Sequence, residues 1–216
     1  VFLPGKPLFY ALLGFERGVN AYVADDGHWR ARYIPARLRA YPFALAPVKE
    51  WPGKFAIVAD AEAPQLVDTG DAGGAPLFVN GKPSEALQAR IDLLQVLQKS
   101  EPATASMVQA IRNTGVLVDR VIQVKSPSAD HPSLGGFQVV DEKKLNALPI
   151  EVFDSLRQAG ALPLVYAHLL SMANLRQGAI AGKYPEMATP GDQAAMAAHA
   201  VFSLDDFLDQ LSRKPH

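Results

Sequence analysis

Cysteine is absent from this chain, which excludes disulfide bonds, thiolate metal sites and a cysteine nucleophile. A long hydrophobic run is absent too, because the most apolar stretch, residues 161–172, is interrupted by Pro163 and His168. A membrane-spanning helix needs about 20 apolar residues, so a transmembrane permease is not expected. An excess of charge of one sign is also absent, since 21 basic and 22 acidic side chains leave a net charge of −1. Nucleic-acid binders concentrate positive charge, so this class of partner is not expected either.

Catalytic signatures are missing as well. No Gly-x-Ser-x-Gly nucleophile elbow occurs in the sequence, and no motif implies a cofactor. The chain starts at Val1 with neither an initiator methionine nor the pattern of a signal peptide, so we expect the natural N-terminus to lie further upstream. The lack of cysteine also removes the usual sign of an oxidising compartment, which slightly favours the cytoplasm.

What is present is an ordinary globular composition: 216 residues, of which 49% are hydrophobic and 20% charged. Strand-like patterns dominate before about residue 80 and helical patterns dominate after it. The sequence therefore predicts an α+β fold, in which a mainly antiparallel β region in the N-terminal half packs with helices from the C-terminal half around one shared core. We place an α+β domain at residues 1–177 and a helical C-terminal extension at residues 178–216.

Alternation and turn residues carry the strand predictions. Residues 20–24 and 29–34 flank an Asp-Gly turn and predict a hairpin. The core face of its second strand is expected to carry Trp29, Ala31 and Tyr33. Further strands are predicted at residues 9–15, 43–46, 55–59, 77–79, 121–124 and 137–140. Asn80-Gly81, directly after 77–79, is another turn signal.

Capping residues carry the helix predictions. Ser84 is a suitable N-cap for one helix, and Ser100, followed by Pro102, is expected to cap a second. Asp141 is expected to cap a short helix, and Pro149 to open the next. Later segments are predicted to be a helix at residues 162–177, a connector at 179–191, an Ala-rich stretch at 192–200 and an amphipathic helix at 203–211.

Two polar clusters have competing interpretations. Asp25, Asp26 and His28 are metal-ligand types, but Asp and Gly at a tight turn are also selected for backbone geometry. The turn interpretation is preferred and no metal site is predicted. Asp130 and His131, with serines nearby, are the residue types of a catalytic triad, although they are equally typical of a solvated loop.

A third cluster lies on the predicted helix 162–177. His168, Ser171 and Asn174 are spaced three residues apart and share part of one helix surface, with Tyr166 nearby. A buried histidine needs a hydrogen-bond partner, so one interpretation is a core histidine satisfied by its neighbours. The other is a ligand cavity lined by Tyr166, His168, Ser171 and Asn174.

A basic, aromatic-rich stretch is the remaining candidate site. Arginine beside tyrosine and tryptophan is typical of protein interfaces and of anion sites. The alternative interpretation is the solvated face of a strand and turn. The candidate interaction patch comprises Trp29, Arg30, Arg32, Tyr33, Arg37, Arg39 and Tyr41.

Six segments, in this order along the chain, together resemble the bacterial SapC family. They are ALLGF at 11–15, GHWRARYIP at 27–35, RAYPFAL at 39–45, PLF at 76–78, VDEKKL at 140–145 and YAHLLSMANL at 166–175. The resemblance covers roughly residues 1–177. It implies a link to the bacterial cell surface, because the family is named for a protein linked to a surface layer associated with serum resistance. The same label is used for a peptide-transporter permease, which the hydropathy argues against, and the resemblance implies no catalytic residue.

Together these observations predict a non-enzymatic binding or assembly protein. Its expected partner is another protein, with a second copy of the chain as an alternative, and no cofactor is expected. The competing hypothesis is a small-ligand-binding protein or enzyme that uses a cavity near His168 and Tyr166.

Overall fold

The computed structural model of the chain describes residues 1–16, 18–67, 74–123 and 133–184. The helices are α1 (Ala36–Ala40), α2 (Glu85–Asn113), α3 (Glu142–Asn146), α4 (Ile150–Gln158), α5 (Leu162–Ser171), a 3-10 helix (Met172–Leu175) and α6 (Ala179–Lys183). The strands are β1 (Phe43–Pro47), β2 (Phe55–Ala59), β3 (Phe78–Val79), β4 (Lys82–Pro83), β5 (Leu117–Gln123) and β6 (Ser133–Val140).

The described strands form three antiparallel two-stranded ladders: β1 with β2, β3 with β4, and β5 with β6. The α+β fold class is therefore confirmed. Turn chemistry explains the shortest ladder, because Asn80 and Gly81 both adopt positive φ (51° and 75°), as the tight turn between β3 and β4 requires. The ladder β5–β6 is the longest and lies in the C-terminal half of the chain.

Helix α2 is one continuous element of 29 residues. Ser84 caps it as predicted, since its hydroxyl accepts from the backbone N–H of Leu87 at 3.3 Å. The predicted second start at Ser100 is wrong. The Ser100 hydroxyl instead donates to the Leu97 carbonyl at 2.9 Å, and Pro102 lies inside the helix. The buried residues Leu94 and Val108, on either side of Pro102, hold both halves of the helix against the protein, so one proline does not end it.

Two N-terminal strand predictions are met only in part. Within residues 9–15 only Phe9 forms a bridge, with Phe2, and Phe9 is exposed. The predicted hairpin at residues 20–34 is limited to the single bridge between Val23 and Trp29. Beyond Trp29 the chain turns away, the indole N–H of Trp29 donates to the Tyr33 carbonyl at 3.0 Å, and Tyr33 is 60% exposed rather than buried. No strand within the described ranges pairs with residues 30–34, so alternation alone does not make a strand here.

The core consists of two hydrophobic clusters rather than the single one expected. The larger lies between α2, α4, α5 and the β5–β6 ladder, and the smaller lies beneath residues 12–22 and α6. The larger contains Phe2, Val108, Ile111, Val116, Val140, Leu145, Leu156, Ala161 and Val165. The smaller contains Phe15, Ala21, Ile180 and Tyr184.

The C-terminal half begins as the sequence predicts. Asp141 caps α3 by accepting from the backbone N–H groups of Lys143 and Lys144, and α4 follows Pro149. The predicted helix 162–177 is shorter than expected, because it tightens into the 3-10 helix after Ser171. Part of the expected connector is the helix α6. The predicted elements at residues 192–200 and 203–211 lie outside the described residues, as does most of the extension 178–216.

Candidate functional site: a groove between the N-terminal segment and helix α5

A groove with a cavity volume of about 360 Å³ lies between the N-terminal segment, residues 22–35 and the end of α5. Aromatic and aliphatic side chains dominate its lining. Its aromatic residues are Phe9, Tyr10, Tyr22, Trp29 and Tyr33, and its polar residues on α5 and the 3-10 helix are His168, Ser171 and Asn174.

Backbone pairing at the start of the chain builds one wall of the groove. Val1 and Tyr10 exchange two hydrogen bonds of 2.8 Å, and Phe2 exchanges two with Gln138, at 2.9 and 2.7 Å. These bonds fasten the segment to the edge of β6, so that residues 9–13 run along the groove. The Phe2 side chain is fully buried beneath this wall and anchors it in the larger core cluster.

Stacked rings form the opposite wall. Tyr22 and Trp29 stack with ring centroids 5.4 Å apart and planes inclined by 20°. The indole N–H of Trp29 is occupied by the Tyr33 carbonyl, which fixes the plane of the indole ring. The Arg39 guanidinium lies over the Tyr33 ring, 5.2 Å from its centroid. Stacking, one hydrogen bond and one cation–π contact therefore link the residues of this wall to one another.

His168 lies at the base of the groove and belongs to both the core and the site. Its Nε2 accepts from the backbone N–H of Val140 at 3.1 Å, and its ring meets the edge of Phe2 at 5.3 Å. Burial lowers the pKa of His168 from 6.5 to about 4. At neutral pH the imidazole is therefore uncharged, with Nε2 as acceptor and the proton on Nδ1.

The structure brings three of the four predicted cavity residues together. Ser171 and Asn174 line the groove beside His168, and the Ser171 hydroxyl donates to the His168 backbone carbonyl at 2.7 Å. His168 obtains its own partner from β6 rather than from these neighbours. Tyr166 is not among the lining residues and is 47% exposed, because a position two residues from His168 points to another side of the helix.

The groove contains residues that the sequence does not mark as functional. Residues 9–13 and Ile180 line it, and the smaller core cluster supports it from below. In that cluster the Tyr184 hydroxyl accepts from the Phe15 N–H at 3.3 Å, and the two rings lie 4.9 Å apart. The signal that was available is the apolar run at 9–15, whose pattern predicts a strand rather than a binding site.

The candidate interaction patch is divided between four environments. Trp29 and Tyr33 line the groove, and Arg39 lies over Tyr33. Arg37 forms an ion pair with Glu101 on α2. The Tyr41 hydroxyl donates to Asp60 at 2.9 Å, which raises the pKa of Tyr41. Arg30 and Arg32 are exposed.

The Asp-rich cluster adopts turn geometry. Gly27 has a φ of 85°, and the backbone N–H of His28 donates to an Asp26 carboxylate oxygen at 3.0 Å, which lowers the pKa of Asp26. Among the described residues, no group of three His, Asp or Glu side chains is arranged to hold a metal ion. The candidate triad around Asp130 and His131 lies outside the described residues.

Comparison with known proteins identifies the family. None of the helices in the described ranges is both long and apolar enough to cross a membrane. Neither the curated proteins nor the solved structures contain a match to this chain. The family model SapC matches residues 1–177, well over half of the sequence, and the chain therefore belongs to the SapC family.

Proposed function

We propose that this chain is a non-enzymatic binding protein whose groove holds an uncharged, largely apolar ligand. The observation that carries the proposal is the lining of the groove. Five aromatic side chains and several aliphatic ones surround three polar residues, and no Asp, Glu, Lys or Arg side chain is among the described lining residues.

Size and polarity of the groove favour a small ligand. Its volume of about 360 Å³ falls in the range of small-molecule sites, which measure roughly 300 to 1,000 Å³. A charged ligand group would lose its hydration there without meeting a side chain of opposite charge among the described lining residues, which is costly. A neutral ligand with one or two polar atoms matches the polar residues at one end, with aromatic faces stacking on the remainder.

The polar groups of the groove are arranged for binding rather than for covalent chemistry. The Ser171 hydroxyl donates to a backbone carbonyl, and His168 Nε2 is occupied by a backbone N–H. A serine nucleophile needs its hydroxyl bonded to a free basic nitrogen, and these two side chains lack that relation. The Ser171 oxygen and the Asn174 amide can still form hydrogen bonds that orient a ligand.

Blocking the groove is expected to abolish binding of a neutral apolar dye. In a Trp51→Phe background Trp29 is the only tryptophan, so its fluorescence reports on the groove directly. Titration with N-phenyl-1-naphthylamine should quench Trp29 and brighten the dye. Replacing Ala167, which lines the groove on α5, by tryptophan should weaken dye affinity by at least about tenfold, because the indole fills the space.

The matched control is Ala173→Trp, which adds the same side chain at an exposed position outside the lining. Both variants carry a second tryptophan besides Trp29, so dye fluorescence is the readout for both. Equal dye affinity in Ala167→Trp and Ala173→Trp would contradict the proposal. A thermal-shift screen in which no neutral compound stabilises the protein would contradict it too.

Binding of a protein partner is the second candidate, and Tyr33 favours it. Tyr33 is 60% exposed, carries Arg39 over its ring and borders the groove, and arginine and tyrosine are enriched at interface centres. We expect Arg32→Glu combined with Arg39→Glu to abolish partner recovery in a pull-down from the native organism while leaving the melting temperature unchanged. Undiminished recovery would remove this surface from consideration. The link to a bacterial surface layer, which the family resemblance implies, stays a prediction.

A further inference from the structure

Strand β2 is an unprotected apolar edge. Its sequence, FAIVA, contains no charge, and Phe55, Ile57 and Val58 are 42%, 42% and 43% exposed. Only β1 pairs with it among the described strands. Natural edge strands are usually protected by an internal charge, a proline or a bulge, and β2 has none of these within its length. A two-stranded ladder is also marginally stable in water unless further strands or a helix support it.

The register of β1 with β2 defines which backbone groups are free. Asp60 N–H donates to Pro42 at 3.0 Å, and Val48 N–H donates to Lys54 at 2.9 Å, so the even-numbered residues of β2 bond to β1. Hydrogen bonds in antiparallel ladders alternate with period two. The N–H and C=O groups of Phe55, Ile57 and Ala59 therefore point away from β1 along the open edge.

We infer that this edge pairs with the same edge of a second copy of the chain, forming a four-stranded sheet across a twofold axis at Ile57. Antiparallel pairing centred on Ile57 places the free amides of each copy opposite those of the other, with full overlap of the two strands. Two such edges related by a twofold axis form a closed contact, which leaves neither β2 edge open.

Complementarity in this register identifies the partner as a second copy. Phe55 of one copy lies opposite Ala59 of the other, so a large side chain meets a small one. Lys54 lies opposite Asp60 at both ends of the paired strands. Both are exposed, and they fall in non-hydrogen-bonded positions, where opposing Cα atoms are only about 4.5 Å apart. An unrelated strand would not be expected to match size and charge at the same time.

The contact is short, so the dimer is expected to be weak. A standard interface buries about 800 Å² per partner, and five residues of one edge cover less than that. Light scattering on the full chain should therefore show a monomer at low micromolar concentration and a growing dimer fraction at high micromolar concentration.

A charge-swap series tests the register. Lys54→Asp places two acidic side chains opposite each other at both ends of the ladder and should weaken dimerisation by about tenfold. Lys54→Asp combined with Asp60→Lys restores opposite charges and should return the dimer affinity to within about threefold of the original. Circular dichroism melts check that each variant is folded, since Asp60 also binds the Tyr41 hydroxyl.

Disulfide cross-linking provides a second, independent readout, because the chain has no cysteine of its own. Opposed residues of a hydrogen-bonded pair have Cα atoms about 5.5 Å apart, within the range that a disulfide spans. Ile57→Cys should form a covalent dimer under mild oxidation, and Val96→Cys, at an exposed site on α2, should not. A chain that stays monomeric at all concentrations overturns the proposal. So does a dimer insensitive to the charge reversal, or equal cross-linking of the two cysteine variants.

Discussion

Replacing Phe2 by alanine is expected to lower the free energy of unfolding by about 3 to 5 kcal/mol, the range for large aromatic truncations in protein cores. The Phe2 side chain is fully buried in the larger core cluster. Its ring contacts His168, with centroids 5.3 Å apart, and Phe9, at 6.4 Å. Truncation leaves a cavity among residues that are fixed by two helices and a strand, so the core has little freedom to collapse. Urea denaturation followed by circular dichroism measures the loss.

Phe2→Ala also tests whether Phe2 holds the N-terminal wall of the groove in place, in addition to filling the core. Phe2 holds the wall that carries Val1, Phe9 and Tyr10 into the groove, so the neutral dye should also bind more weakly to Phe2→Ala. Phe78→Ala, on the exposed strand β3, is the control and should cost less than about 1 kcal/mol with dye affinity unchanged. A Phe2→Ala variant as stable as the parent would show that the N-terminal segment is not part of the folded core.

Local chemistry explains the elements that the sequence predicts correctly. Ser84 and Asp141 cap helices because their side-chain oxygens accept from backbone N–H groups within the next three residues. Asn80-Gly81 marks the β3–β4 turn because these residues tolerate positive φ. In each case the determining interaction is complete within a few residues of chain, so no knowledge of the tertiary structure is needed.

Tertiary packing explains the elements that the sequence predicts wrongly. Ser100, followed by Pro102, is expected to start a second helix, yet the buried Leu94 and Val108 hold both halves of α2 against the protein and the helix continues through Pro102. Residues 9–15 have a strand-like composition, yet the chain offers them only Phe2 as a bridge partner. A strand requires a neighbouring strand, and that neighbour is decided by contacts distant in sequence.

The candidate site divides in the same way. The spacing of His168, Ser171 and Asn174 places them together because they share one stretch of helical chain. The sequence also marks Trp29 and Tyr33, but as part of a separate surface. That these two groups face each other across one groove depends on contacts between residues more than 130 positions apart, as the lining shows. The residue pattern within either segment therefore cannot predict that the two segments face each other.

Acidification is expected to destabilise the protein through His168. Burial is the main reason that the pKa of His168 in the folded state is about 4, against an ordinary value of 6.5. Between these values the unfolded chain binds a proton that the folded chain does not, so stability falls as the pH falls. The contribution is complete above pH 6.5 and is lost progressively as the pH approaches 4. Its size is about 2 to 3 kcal/mol, somewhat less than the full shift implies, because the imidazole also lines the open groove.

The experiment compares the parent with His168→Gln, whose side-chain oxygen can still accept from the Val140 N–H but does not titrate. Carboxylates elsewhere contribute equally to both proteins, so the difference between their unfolding free energies isolates His168. The unfolding free energy of the parent minus that of His168→Gln should decrease as the pH is lowered from 6.5 to 4, because only the parent loses the contribution of His168. Urea titrations at each pH measure both free energies. Parallel pH profiles for the parent and His168→Gln would mean that the imidazole is as well solvated in the folded protein as in the unfolded chain. That result would contradict the buried position of His168, whose Nε2 accepts a hydrogen bond from the backbone N–H of Val140 on β6.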